Sequence, residues 1–478
     1  MTDTTTMPGW KRNATIFLAG QTVSLLGSML VQYAVMWHLT ITTRSGTVMM
    51  WSIVFGMLPQ AFVSVLGGVW ADRHHRKWLI MGSDTAIAVV TLGLALVMAS
   101  GVDDLWLIYA ALAVRSAFAG VQTPAVSAMI PQVVPEDQLL RINGLNQSIQ
   151  SAMMLLAPVV AAGIYASFDI VAVFFVDVVT AMIGVGLLAL VPVARLVRPT
   201  GPGDAPAYLD DLRAGLRYVV RHAAVRWLMV LFAVTMLLVG APAFLTPLMV
   251  ARTFGDEVWK LTANEVAWSI GMLGAGLVIA ALGPRVKRHM AIIVASVVGA
   301  GVFTGLLGLA TTMWVFFALG FVVSATYATM FAPAMTLMQT TVEPQYQGRV
   351  FGFFGIVMSV GMPLSMVVFG PLADRYSVES LLVVAGALLV AFVGALLALP
   401  PTRRSLAALA AAPETTPPET VPPEAAAPET TTPPGTTPPG TTPPGTAASP
   451  RTADGAGGTL DPWVEDVTEE TRRWETRR

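Results

Sequence analysis

Twelve long apolar runs limit what this chain can fold into. A helix needs about 20 apolar residues to cross the hydrocarbon core of a bilayer. Because lipid offers no hydrogen bonds to the backbone, helices are the form that such runs take. The runs lie at 14–39, 47–70, 78–100, 104–127, 143–167, 169–192, 225–250, 264–282, 290–310, 313–336, 349–372 and 378–400. The pattern predicts an all-α membrane protein with twelve transmembrane helices.

The composition agrees with a lipid-embedded protein and excludes several functions. Charged residues make up only 12% of the chain and the mean hydropathy is +0.67, whereas soluble domains carry roughly 25% charged residues. A net charge of -1 gives no electrostatic basis for binding nucleic acid. The chain has no cysteine, which excludes disulfides and thiolate metal sites. We expect no metal and no cofactor.

Lysine and arginine are concentrated in alternate loops. Such loops of membrane proteins face the cytoplasm. We therefore expect a multi-pass protein of the cell membrane with both termini in the cytoplasm. The basic loops and termini hold Lys11, Arg12, Arg73, Arg76, Lys77, Arg195, Arg198, Arg213, Arg217, Arg221, Arg285, Lys287, Arg288, Arg403 and Arg404.

The longest link between spans divides them into two halves. Within it, "YLDDLRAGLRYVVRH" alternates charged and apolar residues at helical spacing, which predicts a surface helix. After residue 400 the composition changes to a Pro/Thr/Ala-rich tract with three successive "TTPPG" repeats, which buries too little to fold. The predicted organisation is an N-terminal six-helix bundle at 1–192, a cytoplasmic linker at 193–224, a C-terminal six-helix bundle at 225–400 and a disordered cytoplasmic tail at 401–478.

Short internal repeats relate the two halves. "PAVSAMIPQVVPEDQLLR" at 124–141 resembles "PAMTLMQTTVEPQYQGRV" at 333–350, and each follows the fourth span of its half. "GVWADR" at 68–73 is echoed by "GPLADR" at 370–375. Transporters are commonly built from structural repeats of this kind.

The segment "GVWADRHHRKWLI" at 68–80, between the second and third spans, resembles the signature of the major facilitator superfamily. The resemblance implies the fold of that family and a gating role for this loop, in which charged side chains form a latch that ties the two bundles together in one conformation. The alternative is that the basic residues only anchor the loop in the cytoplasm. The matching residues are Gly68, Asp72, Arg73, Arg76 and Lys77.

Three further segments look like the macrolide-efflux branch of that superfamily, which exports drugs against a proton gradient. They are "WKRNATIFLAGQTVSLLGSMLVQYAV", "VPEDQLLRINGLNQSIQS" and "GRVFGFFGIVMSVGMPL". The resemblance implies a monomeric secondary active exporter of amphipathic, macrolide-like drugs, working by proton antiport and alternating access and conferring antibiotic resistance. Two alternatives stay open, an exporter of siderophores or metabolites and a membrane sensor or scaffold without transport.

Polar side chains lie on one face of three spans that line the central cavity in this superfamily. We expect them to contact the cargo. The alternative is that they hold helices together through hydrogen bonds. The candidates are Gln21, Ser28 and Gln32 on the first span, Gln122 on the fourth, and Thr326 and Thr329 on the tenth.

Two charged residues lie deep in predicted spans. Arg115 is in the middle of the fourth span, and "VRSAFAG" loosely resembles a family motif whose arginine is linked to proton transfer. Asp177 lies about 12 Å into the sixth span at 1.5 Å per residue. Arginine cannot release a proton under cell conditions, so Asp177 is the expected proton carrier. A purely structural ion pair between Arg115 and Asp177 is the alternative.

Energy for transport must come from an ion gradient. The sequence has no G-x-x-x-x-G-K-[ST] motif, and the loops are too short for a nucleotide-binding domain. We therefore expect no ATP binding. We also expect no enzyme, since catalytic side chains do not cluster in the sequence. The expected partners are the bilayer, protons and a small amphipathic substrate.

Overall fold

Residues 9–193, 207–282 and 289–398 are described by the computed structural model, and they form helices joined by short turns, with no strand in these ranges. Twelve of the helices in the described part are long and apolar enough to cross a membrane. The predicted all-α class and the twelve spans are confirmed. The predicted tail at 401–478 and the basic residues at 195–198 and 285–288 lie outside the described residues.

The first half of the chain contains α1 (Trp10–Thr43), α2 (Gly46–Arg73), α3 (Arg76–Ala99), α4 (Leu105–Val133), α5 (Leu139–Phe168) and α6 (Ile170–Ala189). A helix in the predicted linker follows, α7 (Ala207–Arg221). The second half contains α8 (Ala223–Met249), α9 (Val258–Leu282), α10 (His289–Gly308), α11 (Met313–Thr341), α12 (Pro344–Ala373) and α13 (Val378–Ala398). A 3-10 turn at Glu136–Gln138 precedes α5, and a π turn at Val250–Phe254 follows α8.

Several helices extend beyond the apolar runs that predict them. The helix α9 begins at Val258 rather than at residue 264, while α4 and α11 continue to Val133 and Thr341. Hydropathy marks the segment that meets hydrocarbon, whereas a helix also continues through polar turns at the membrane surface. Because α9 starts six residues before its apolar run, side chains at the start of that run lie deeper in the helix than the run alone indicates.

The two halves pack in the same plan. In the first half, α1 contacts α5 and α6, α4 contacts α2 and α3, and α3 contacts α6. In the second, α8 contacts α12 and α13, α11 contacts α9 and α10, and α10 contacts α13. Each half is therefore a six-helix bundle, and the bundles meet where α2 contacts α12 and where α5 contacts α9.

Glycine allows helices within a bundle to approach closely. A Cβ atom on Gly20 of α1 would lie 3.2 Å from the carbonyl oxygen of Gly184 on α6. A Cβ atom on Gly301 of α10 would lie 2.9 Å from the carbonyl oxygen of Gly386 on α13. Close backbone packing drives helix association in lipid, because apolar side chains gain little there by leaving the lipid tails.

Exposed tryptophans mark both ends of the helical body. Trp70 and Trp78 flank the basic loop between α2 and α3, and we call this side the basic end. Trp51, Trp106 and Trp314 lie near the other ends of their helices, which we call the opposite end. Tryptophan is enriched at both membrane–water interfaces, so these side chains bracket the hydrocarbon region.

Candidate transport site

Two carboxylates and one guanidinium are buried together in the first bundle. Asp84 of α3, Arg115 of α4 and Asp177 of α6 are 2%, 9% and 1% exposed. All three lie at least seven residues from either end of their helices. Buried charge in a membrane protein is costly unless it is paired or used. With every group ionised the cluster carries one excess negative charge.

Arg115 and Asp177 are in direct contact, as one of the sequence-based alternatives requires. Arg115 Nη1 donates to Asp177 Oδ2 at 2.5 Å and also donates to the Thr91 hydroxyl. The Thr91 oxygen lies 3.1 Å from the same Oδ2. The other carboxylate oxygen, Oδ1, has no hydrogen-bond partner among the described residues. It faces α1 at Gly27, where a Cβ atom would lie 2.9 Å away.

Asp84 has hydrogen-bond donors but no cation among the described residues. Its Oδ1 accepts from the Ser24 hydroxyl and from the Gln122 side-chain amide, both at 2.7 Å. Its Oδ2 is buried without a partner among the described residues. Asp177 is near enough for the two charges to interact. One proton on Asp84 would make the whole cluster neutral, whereas Arg115 already compensates Asp177.

The six predicted cargo residues are divided among different environments. Gln122 donates to Asp84, and Thr326 and Thr329 donate to carbonyls of their own helix at 2.6 and 2.7 Å. Gln32 is exposed, while Gln21 and Ser28 are partly exposed. Three of the six side chains therefore form hydrogen bonds with groups of their own bundle.

Polar side chains from both bundles are exposed toward the basic end. The basic-end halves of α4, α5 and α11 carry these side chains, and we call them together the polar surface. The exposed residues are Thr123 and Ser127 on α4, Asn143, Gln147 and Gln150 on α5, and Thr336 and Thr340 on α11.

The bundles are joined by hydrogen bonds at the opposite end. Asp374, at the end of α12, accepts from the backbone N–H groups of Gly46 and Thr47 at 2.6 and 2.9 Å. It also accepts from the Ser45 hydroxyl at 2.9 Å. A residue of the second bundle therefore caps the N-terminus of α2, where a negative charge meets the positive end of the helix dipole.

Two arginines extend this connection. Arg252, in the π turn after α8, donates to the carbonyl oxygens of Arg44 and Ala373 and lies 3.3 Å from Asp374 Oδ1. Arg44 forms an ion pair with Asp256. We call Arg44, Arg252, Asp256 and Asp374 the opposite-end lock.

The carboxylates of the lock are held in their ionised form. Partial burial alone would raise the pKa of Asp374, but the hydrogen bonds from Thr47, Gly46 and Ser45 outweigh it and hold that pKa below its usual value. The hydrogen bond from Arg44 lowers the pKa of Asp256. Both groups are therefore anions at neutral pH.

Glycine brings α2 and α12 into contact beneath the lock. A Cβ atom on Gly370 would lie 2.8 Å from the carbonyl oxygen of Gly46 and 2.6 Å from Met50 Cβ. Both helices therefore meet backbone to backbone, which only small residues permit. Separation of the bundles at this end must break this contact as well as the lock.

The described side chains of the signature loop contact the first bundle. Arg76 donates to the carbonyl oxygens of Ala71 and Ala128, at 3.0 and 2.7 Å. Lys77 donates to the carbonyl oxygens of Ala189 and Val191, both at 2.8 Å. These bonds join the ends of α2, α4 and α6. Arg73 is exposed and Gly68 has open space around it, while the side chain of Asp72 lies outside the described set.

Sequence reasoning missed two features. The apolar run at 264–282 places Glu265 at the edge of the eighth span, yet α9 begins at Val258 and carries Glu265 inward. Asp84 and Glu265 lie within spans as well as Asp177, although the sequence favours Asp177 alone. The lock was signalled only by the "GPLADR" echo, whose aspartate is Asp374.

Comparison with known proteins agrees with the fold. The model of the Major Facilitator Superfamily matches residues 14–366. Macrolide efflux protein A of Streptococcus pyogenes is 29% identical over 386 residues, which cover 80% of this chain and 94% of that protein. Macrolide efflux protein A of Enterococcus faecalis is 28% identical over 66% of this chain and 97% of its own length. These matches confirm the resemblance to the macrolide-efflux branch.

Solved transporter structures share the fold at low sequence identity. The nucleoside transporter NupG superposes with a TM-score of 0.60 at 12% identity, covering 84% of this chain and 98% of that one. A POT family transporter gives a TM-score of 0.65 at 10% identity, covering 82% and 96%. The matched relatives and solved structures are transporters and not enzymes. Because the family model covers well over half of a chain that has the twelve-helix fold, this protein belongs to the major facilitator superfamily.

Proposed function

We propose that this chain exports amphipathic, macrolide-like compounds in exchange for protons by alternating access. The observation that carries the proposal is the buried cluster of two carboxylates and one guanidinium. A proton antiporter needs an acid that can exist in both protonation states inside the protein. The relatives named macrolide efflux proteins support the cargo class.

Asp84 is our candidate for the exchanged proton. Asp177 is paired with Arg115 at 2.5 Å, so its negative charge is already compensated. Asp84 has no such partner among the described residues, and one of its oxygens is unsatisfied. Its donor Gln122 is partly exposed and lies on α4 next to Thr123 of the polar surface. The hydrogen bond from Gln122 therefore links Asp84 to a side chain that solvent can reach. The charges of Arg115 and Asp177 contribute to the electrostatic potential at Asp84 and so influence its proton binding.

The conformation supports a two-gate cycle. By the distribution of lysine and arginine, the basic end faces the cytoplasm of a cell membrane. The polar surface then lines the inward opening through which cargo enters, while the opposite-end lock closes the outside. In the other state the lock opens, and the signature loop with Asp72, Arg73, Arg76 and Lys77 joins the bundles at the cytoplasmic end.

Cellular accumulation of a radiolabelled macrolide tests this proposal. Cells that express the chain should hold less macrolide than cells that do not, and a protonophore should remove the difference. Cells with equal accumulation in both cases would contradict macrolide export. Export of a siderophore or an endogenous metabolite in its place would show the same fold with a different cargo, and an absence of any transport would point to a sensor or scaffold.

A further inference from the structure

We propose that Glu265, together with Tyr33, Trp268 and Tyr327, binds the positively charged amine of an amphipathic cargo between the two bundles. The inference rests on the proposed export function and names the substrate class of its site, an organic cation with a bulky apolar body. Four residues from α1, α9 and α11 carry it, so both bundles contribute.

Glu265 lies within α9 beside the boundary of the two bundles. Its side chain is partly accessible, and it lies seven residues from the first residue of the helix. On α9 it lies between two contact faces. Asn264 and Trp268 are on the side toward α8 and α11, and Ser269 donates to the Met154 carbonyl of α5 in the other bundle. Glu265 therefore faces the space where the bundles meet.

Glu265 has no basic partner in the part of the chain that the structure describes. The nearest basic residue on its own helix is Lys260, which pairs with Glu257 at 2.6 Å and donates to the Phe254 carbonyl. The contact of Glu265 with the Asn264 amide is 3.5 Å long. A carboxylate in a low-dielectric environment attracts a cation strongly, because water screens the charge poorly there.

Three aromatic residues, Tyr33, Trp268 and Tyr327, lie within their helices as Glu265 does. At 1.5 Å per residue, the four side chains lie about 10–21 Å from the opposite end. The Glu265 charge acts on the Tyr33 hydroxyl. The Trp268 and Tyr327 rings are 6.2 Å apart, and Trp268 Nε1 and the Tyr327 hydroxyl are buried without a partner in the described residues.

A carboxylate beside tyrosine and tryptophan faces suits an organic ammonium group. Such a cation gains from the carboxylate charge and from the negative faces of the rings, while its alkyl substituents pack on the aromatic surface. A compact hydrated cation such as sodium would find one carboxylate rather than the six or so oxygen ligands that hard cations prefer. The free donors of Trp268 and Tyr327 suit oxygen atoms on the same cargo.

Equilibrium binding to the purified full-length chain in detergent tests the assignment. The probes are a macrolide with a dimethylamino group, its uncharged N-demethyl-N-acetyl analogue and tetraphenylphosphonium. Glu265→Gln keeps the size of the side chain and removes its charge. It should weaken binding of both cationic probes at least about tenfold and leave the uncharged analogue within about twofold. Glu257→Gln, an exposed carboxylate at the start of the same helix, should change none of them.

Each outcome decides between the assignments. If Glu265→Gln binds all three probes as the wild type does, or loses all three equally, Glu265 is not a cation site. Glu265→Asp restores cation preference if the charge is what matters. If the wild type binds neither macrolide but binds tetraphenylphosphonium through Glu265, the cation site stands and macrolide export fails.

Discussion

Arg115 of α4 and Asp177 of α6 form a buried ion pair with 2.5 Å between Nη1 and Oδ2. Asp84 lies in the same cluster without a cation of its own among the described residues. The two carboxylates are therefore unequal, although both are nearly inaccessible. We assign a positioning role to the pair and proton exchange to Asp84. The predictions below separate these roles from packing.

Gly27→Ala should destabilise the contact of α1 with α6. A Cβ atom there would clash with Thr180 Oγ1 and would lie 2.9 Å from Asp177 Oδ1 and 3.1 Å from Asp177 Cα, so these side chains or the backbone of α6 must shift. Overpacking of this kind costs about 1–3 kcal/mol, more than the gain of about 0.5–1 kcal/mol in helix propensity. Gly56→Ala is the matched control, because open space surrounds that glycine. The thermal midpoint in detergent should fall only for Gly27→Ala, and equal midpoints would contradict the packing.

Arg115→Ala should strongly destabilise the protein. It leaves Asp177 buried without its cation, and removal of one partner from a buried pair costs about 3–5 kcal/mol. The double variant Arg115→Ala, Asp177→Asn should recover most of that loss. Arg141→Ala, on an exposed part of α5, serves as the control. A single variant as stable as wild type would mean that the pair is not needed for folding.

Asp374→Asn should open the opposite end. The change removes the charge that caps α2 across the bundle boundary and that lies beside Arg252. Hydrogen bonds to charged groups contribute about 1.5–3 kcal/mol each when buried, and less at this partly exposed site. The cysteine-free chain allows spin labels at Thr42→Cys and Tyr376→Cys.

Distances between these labels should lengthen in a several-fold larger fraction of Asp374→Asn molecules. Asp103→Asn, at the same end and exposed, is the control. Identical distance distributions in the two variants would remove Asp374 from the gate.

The lock should not respond to pH near neutrality. Because the pKa of Asp374 is held below its usual value in the locked state, its contribution is complete above the ordinary aspartate pKa of about 3.9 and is lost only as pH falls through the lowered value. The same label pair should give one distance distribution from about pH 5.5 to about pH 8 in wild type. Opening within that interval would place a proton sensor in the lock.

The number and type of the helices could be predicted from sequence because each span needs a long apolar run. The charged residues inside those runs, Arg115 and Asp177, were visible for the same reason. Their contact could not be established from sequence, since α4 and α6 are distant in the chain. The hydrogen bond from Gln122 to Asp84 was unpredictable because a helical face does not reveal which neighbour covers it.

Glu265 and Asp374 show where hydropathy fails. The apolar run that predicts α9 begins at residue 264, so a scale based on apolarity places Glu265 at the membrane surface. The helix itself starts at Val258. Asp374 lies in a short loop that looks solvated in the sequence. Only the packing of α12 against α2 brings it to the backbone N–H groups of Gly46 and Thr47.

Uphill transport in proteoliposomes tests the central claim most directly. Vesicles containing the purified chain receive equal macrolide on both sides and an imposed pH gradient. Wild type should concentrate macrolide on the acidic side beyond the passive accumulation of this weak base in protein-free vesicles, and reversal of the gradient should reverse the direction. Asp84→Asn should still equilibrate a macrolide gradient but should concentrate none beyond that passive level. Uphill transport by Asp84→Asn at the wild-type rate and pH response would contradict proton exchange at Asp84.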